Sequence, residues 1–422
     1  MNTFIKKKSL FLYFFLSLLP FYFLTGNFGH DAIITILGIC YLIFKNKSLL
    51  NTINKKSIII ITLFCLYLIS ISLSSEIPMK SLEGSLFYFR YFLFALSFAY
   101  ILKTHESLHK ILFISFFLSL FLICLDSAYQ FIFGFNILGY ISPHNYRLTS
   151  FFEDEMIVGS FIFKIIPIFL FFFYFKFSNE SRFIIKVVLI CLFSLIILFL
   201  SGERTSLFQL IFFYLLLFFG IKFDLKKKLY LIFLSIILST IFLIFSETTK
   251  NRIILQTYEQ IQESKNFLFI GSKEHQQHYD LSLRMFMDSK LIGQGPKTYR
   301  YLCSEPKFNN HNEGCSTHPH NIIMQLLSET GIIGLFFYIL LYLYFIYEYF
   351  RSYFNHSIDP RLKNGNIVIY SALISFLFPF VPSNNIFGQF FNSYMWIYIG
   401  IFLYIKDYSL NRYKNSFSQK II

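Results

Sequence analysis

Charge is what this sequence has least of. Charged residues make up 14% of its 422 positions, against 55% hydrophobic ones. A soluble domain carries roughly 25% charged residues, so this chain lacks the polar surface to cover a globule of its size. Tryptophan occurs once, while Phe occurs 60 times and Tyr 29 times. So lopsided an aromatic set reads as a compositional bias, and no aromatic cofactor site is inferred from it. Several signatures are also missing. No Walker loop, G-x-S-x-G elbow or H-E-x-x-H occurs, which argues against ATP-driven transport and against a zinc protease. No small-residue cleavage site follows the first apolar run, so that run reads as a retained span rather than a signal peptide.

What the chain does have is repeated apolar runs of about 15–20 residues, the length that crosses a bilayer. They fall at 10–24, 32–44, 58–73, 86–102, 110–125, 156–176, 184–200, 205–220, 229–246, 321–350, 366–381 and 391–405. The expected fold is therefore an all-α integral membrane protein with about twelve transmembrane helices. Residues 1–246 hold helices one to nine, 247–319 a large insert, 320–405 the last three spans and 406–422 a tail. With the N-terminus in the cytoplasm, the links carrying Lys45, Lys55, Lys103, Lys186, Lys226, Lys227, Lys228, Arg361 and Lys363 all fall inside. The opposite short links hold only Lys80, Arg147 and Arg204. This asymmetry places the insert outside. The net charge of +14 is then a topology signal, and no nucleic-acid partner is implied.

The polar residues of interest collect on the outer side. Thr317-His318-Pro319-His320-Asn321 closes the insert and opens an apolar segment, and a helix starting near Pro319 is expected. Asn321, Gln325, Ser328 and Glu329 then form one polar stripe, which in a bilayer must line a cavity or a protein interface. Gly331 and Gly334 leave gaps where a neighbouring helix could approach. Arg147, Arg204 and Arg284, with Arg90 and Arg300, share the same boundary, and Arg suits the bidentate grip of diphosphate oxygens. Glu153, Asp154, Glu155 and Glu203 lie near them in sequence, so ion pairing is the competing reading for each arginine. A neutral His320 beside such a cluster can accept a proton from an incoming hydroxyl. Lys164, inside the sixth span, receives no role. Cys40, Cys65, Cys124 and Cys191 lie in apolar runs and read as small hydrophobes. Cys303 and Cys315 lie in the insert; outside the cell they would form a disulfide just ahead of His320. A zinc site built from them with His275, His278, His311, His318 and His320 is the alternative, although the spacing fits no regular ligand pattern.

His320-Asn321 with Gly331-x-x-Gly334 resembles the signature of the bacterial O-antigen ligase family, which shares parts of it with O-antigen polymerases. The resemblance extends to Leu200-Ser-Gly202-Glu203-Arg204, to Arg147 through Glu155 to Gly159-Ser160, and to Leu291-Ile-Gly293-Gln-Gly295-Pro296. It implies a glycosyltransferase-C-like enzyme of the bacterial inner membrane, with its site facing the periplasm. Such enzymes move a glycan from undecaprenyl diphosphate to a sugar hydroxyl of lipid A–core, with no cofactor and no metal. On that likeness His320 is catalytic and Arg204, Arg284, Arg147 and Arg90 bind the donor diphosphate. Asn321, Gly331, Gly334 and Glu155 support them. An O-antigen polymerase or a protein O-oligosaccharyltransferase would use the same donor, and a transporter of lipid-linked sugars is the reading from another class. Clustering of polar groups on one face, rather than at the midplane, favours an enzyme.

Overall fold

The computed structural model describes residues 13–24, 27–43, 55–144, 147–177, 181–221, 247–263, 273–309, 314–355 and 360–418, with isolated positions between 226 and 240. Among them the regular structure is helical, interrupted by one isolated antiparallel bridge between Phe135 and Ile141. The α-helices of eight residues or more are α1 (Tyr13–Tyr22), α2 (Asn27–Ile43), α3 (Lys55–Leu73), α4 (Pro78–Ser85), α5 (Phe89–Thr104) and α6 (Ser107–Phe133). They continue as α7 (Val158–Lys176), α8 (Ser181–Leu200), α9 (Arg204–Gly220), α10 (Gln256–Glu263), α11 (Lys273–Asp288), α12 (Ile322–Phe354), α13 (Pro360–Phe376) and α14 (Gln389–Ser418). Among the described residues, four stretches, Pro78–Thr104, Ser107–Phe133, Val158–Phe175 and Ile322–Phe354, are long and apolar enough to cross a membrane. Apolar helices also occupy other expected positions, among them α3, α8 and α9. The expected span at 229–246 lies outside the described residues apart from isolated positions.

α7 is the axis of the bundle. Phe161, Ile162 and Phe163, successive residues that point about 100° apart, are all fully buried, as expected of a helix that is apolar all round and enclosed by others. It packs against α6, α8, α9 and α13, while α5 lies between α2 and α14. α12 packs against α13, α11 and α3. α14 runs unbroken to Ser418.

α12 departs from expectation at two points. It begins at Ile322, not near Pro319, because Asn321 sits in extended backbone and its Oδ1 accepts the Met324 N–H at 3.1 Å, an N-cap. His320, just before it, has φ 55°, the left-handed region that His tolerates better than most side chains. The helix is also broken at Gly331, with φ 61° and ψ −165°. The loop 290–295 fills the break: Ile332 N donates to Lys290 O (2.9 Å), Gln294 N to Ser328 O (2.9 Å) and Gly295 N to Glu329 O (2.8 Å). A Cβ on Gly331 would lie 2.4 Å from Leu291 O. What approaches Gly331 is therefore this loop rather than a neighbouring helix. At Gly334 a Cβ would meet the Thr330 side chain of the same helix.

Candidate functional site

The start of α12 is held by the turn between α13 and α14. Ser383 N donates to His320 O (2.8 Å), and Asn321 Nδ2 donates to Pro379 O (2.9 Å). His318 Nε2 lies 3.1 Å from Ser383 O. A carbonyl can only accept, so that nitrogen carries the proton and Nδ1 accepts from Thr317 Oγ1 at 3.0 Å. One turn further, Gln325 accepts the Ile386 N–H (3.0 Å) and donates to Asn385 Oδ1 (2.8 Å) and Glu329 Oε2 (2.9 Å). Glu329 Oε1 accepts the Tyr299 N–H at 3.1 Å. The polar stripe is thus a seam that stitches α12 to the turn and to the insert; its hydrogen-bonding capacity serves the fold.

Four histidines gather at the head of that seam. The His320 ring centroid lies 4.1 Å from that of His318, 5.4 Å from His278 and 5.6 Å from His275. Burial, reinforced by the neighbouring rings, pushes His320 down to about 3 and His318 and His275 down to about 4. All three are neutral at pH 7. His278 Nδ1 donates to Gly314 O, which also accepts from Tyr299 Oη at 3.0 Å. Gly314 adjoins Cys315, which is disulfide-bonded to Cys303 with Cα atoms 5.2 Å apart. Among the described residues no three His, Cys, Asp or Glu side chains converge as a metal-holding group. The His320 imidazole keeps ring contacts but, among the described residues, no hydrogen-bond partner.

That imidazole lines a cavity of about 180 Å³ shared with Glu203, Lys164, Ser160, Ser206 and Asn384. Glu203 precedes α9 and receives the first turn of α7: Gly159 N donates to Oε1 (2.6 Å) and Ser160 N to Oε2 (2.9 Å). A helix N-terminus offers donors and positive potential that suit a carboxylate. The approach needs glycine, since a Cβ on Gly159 would lie 2.9 Å from Ser201 Oγ. Burial raises the Glu203 pKa, against the lowering effects of the Arg147 charge and these hydrogen bonds. Lys164 is buried on α7 and donates to Ser160 Oγ and to Asn384 Oδ1 (3.3 Å). Its Nζ sits 4.2 Å from the Phe390 ring centroid, a cation–π contact.

The arginines divide. Arg147 and Arg252 both act electrostatically on Arg204, so three guanidiniums gather, and Arg204 in turn acts on His275. Arg204 donates to Thr257 Oγ1 (2.9 Å) at the start of α10, and Arg147 donates to Met156 O (3.1 Å). Arg90 instead pairs with Asp31 at 2.8 Å, with Tyr91 Oη alongside. Arg284 is exposed and donates to Phe308 O (3.2 Å). Glu155 is exposed in the turn before α7 and does not line the cavity. Arg90, Arg284 and Glu155 were expected in the site and are not brought to it. Sequence reasoning missed Arg252, left Lys164 without a role, and read residues 380–387 only as an outward turn between the last two spans. A lysine inside an apolar span was signal enough to find Lys164, since intramembrane charges are kept for function.

Two comparisons bear on this arrangement. Residues 189–339 match the family described as O-Antigen ligase. No curated protein matches the chain.

Proposed function

Starting from that match, which supports assigning the chain to the O-antigen ligase family, we propose that this protein is a ligase of the bacterial inner membrane. It transfers a glycan from undecaprenyl diphosphate to a sugar hydroxyl of lipid A–core. The observation that carries the reading is the cavity that His320, Glu203 and Lys164 line together, with Arg204, Arg147 and Arg252 clustered next to Glu203. In this reading the guanidiniums grip the diphosphate and offset the charge that grows on it as the anomeric C–O bond breaks. The acceptor oxygen attacks the anomeric carbon from the opposite side and inverts it. Its proton passes to His320, and the diphosphate departs with the bonding electron pair. An imidazole held near 3 is a weak proton acceptor until negative charge arrives, and a bound diphosphate supplies that charge. The base then strengthens only when donor is in place. About twelve spans, with the insert in the periplasm, complete the proposal.

Purified protein in nanodiscs, given undecaprenyl-diphosphate glycan and lipid A–core, should form the ligated lipid. Formation of longer lipid-linked glycan without ligation would make the protein a polymerase. A periplasm-only reporter fused within 273–300 should be active and one fused after Lys363 silent; the reverse would overturn the orientation.

A further inference from the structure

The segment that follows α6 is built inside out. From Ser127 to Tyr146 the sequence contains no Lys, Arg, Asp or Glu, yet Ser127, Gln130 and Asn136, with Asp126 just before them, are buried. Asn136 is fully enclosed; its Oδ1 accepts Leu138 N (3.0 Å) and Tyr140 N (2.7 Å), and its Nδ2 donates to Ser150 O (2.6 Å). Asp126 Oδ1 accepts Ile137 N at 2.8 Å. Asn136 N donates to Tyr140 O, Gly139 N to Asn136 O and Gly134 N to Gln130 O, all within 2.8–2.9 Å. Gln130 Oε1 ties the hairpin to Thr149 N (2.9 Å) and Ser150 N (2.8 Å). The backbone donors of the turn are thus met from within.

The outside is apolar. Ile132 is 70% exposed, Ile137 62%, Leu138 65% and Ile141 72%. In water this arrangement wastes apolar burial. In hydrocarbon it is what an irregular segment requires, because no solvent is there to satisfy loose backbone groups. The apolar surface also has a source. On α6 the residues Ile114, Leu118, Phe121 and Leu125 are exposed at helical spacing and lead toward Ile132, so the lipid-facing stripe of a membrane-length helix runs without a charged break into the hairpin. We infer that residues 132–141 form a re-entrant hairpin immersed in the acyl chains of the leaflet at the cavity end of the bundle. The bilayer is its partner. That end is fixed by Arg147, which follows the hairpin and donates to Met156 O beside the cavity.

Leu138→Trp and Ile137→Trp, each in full-length protein in phosphatidylcholine vesicles, test this, with the signal of Trp396 in the unsubstituted protein subtracted. The added indole should emit to the blue. It should lose most of its intensity when the lipids are brominated in the acyl chain, and little to aqueous iodide. Strong iodide quenching without bromolipid quenching places the hairpin in water and overturns the inference. Quenching by neither means that protein covers the surface, a second copy included, and overturns it equally.

Discussion

Gly293 and Gly331 meet backbone to backbone: a Cβ on Gly293 would fall 2.6 Å from Gly331 N, and one on Gly331 would fall 2.6 Å from Ile292 N. Both residues hold positive φ, 68° and 61°. Two motifs that are separate in sequence, Leu291-Ile-Gly293-Gln-Gly295 and Gly331-x-x-Gly334, are therefore one joint that docks the insert into a broken helix.

Gly331→Ala should consequently be severe. The left-handed backbone alone costs roughly 1–3 kcal/mol for a side chain, and the obstructing atoms are backbone, which cannot swing aside. Gly334→Ala is obstructed too, since its methyl would fall 2.4 Å from Thr330 Cβ, which side-chain rotation does not move; it should still cost less than Gly331→Ala, because Gly334 has no positive φ to strain. Thermal unfolding in detergent orders the two; equal melting temperatures for Gly331→Ala and the natural chain would mean that the joint does not support the fold.

His320→Ala should insert and fold normally and lose about 10²–10⁴-fold in transfer rate, the usual worth of a proton acceptor. Donor binding should persist, because the diphosphate is assigned to arginines. Arg204→Lys should weaken donor binding as well as rate, since an ammonium lacks the planar fork. If His320→Ala also abolishes donor binding, the imidazole contacts phosphate and Glu203 becomes the candidate base.

The depressed histidines make stability pH-dependent. Their unfolded value is about 6.5 and their folded values about 3 to 4, so the unfolded chain binds more protons between those limits. Their contribution is fully present above pH 6.5 and is lost progressively as pH falls toward 4. His318→Gln should flatten the decline of melting temperature over that window. An unchanged slope would show that these rings are not sequestered.

Lys164→Met keeps much of the volume and removes a charge whose burial in a span costs roughly 2.5–3.5 kcal/mol. The variant should fold at least as well; with Lys164 proposed to donate to a substrate oxygen in the cavity it lines, transfer should fall by roughly 10–100-fold, the worth of one charged hydrogen bond. Lys164→Arg should restore part of the rate. If Met is silent and Arg harmful, Lys164 only braces Asn384.

Reducing the Cys303–Cys315 bond should lower stability by roughly 3 kcal/mol, the chain-entropy value for a loop of this size, with partial activity retained. Thermal melts with and without reductant read this directly. An unchanged melt would mean that the insert is held without the bond.

Membrane character, helical class and the family signature were legible in sequence because hydropathy and short motifs are local. The partners of each side chain were not. The spacing of Asn321, Gln325 and Glu329 announced a polar face but not that Asn385 and Tyr299 would occupy it. Lys164 went unassigned because Asn384, which meets it, lies 220 residues away. Arg90 and Arg284 share residue type and membrane boundary with Arg204, yet one found Asp31 and the other a loop carbonyl. Glycine at 331 could signal either a gap or a break, and only the loop from 290 to 295 decides between them.

The turn after α13 clasps His318, His320, Gln325 and Lys164 from beyond the matched segment 189–339. A chimera that exchanges only that segment with a relative would import a histidine and leave its fastener behind. Donor and acceptor preferences of such hybrids should therefore transfer only when residues 379–388 travel with it, as a split lock works only when both halves come from one key.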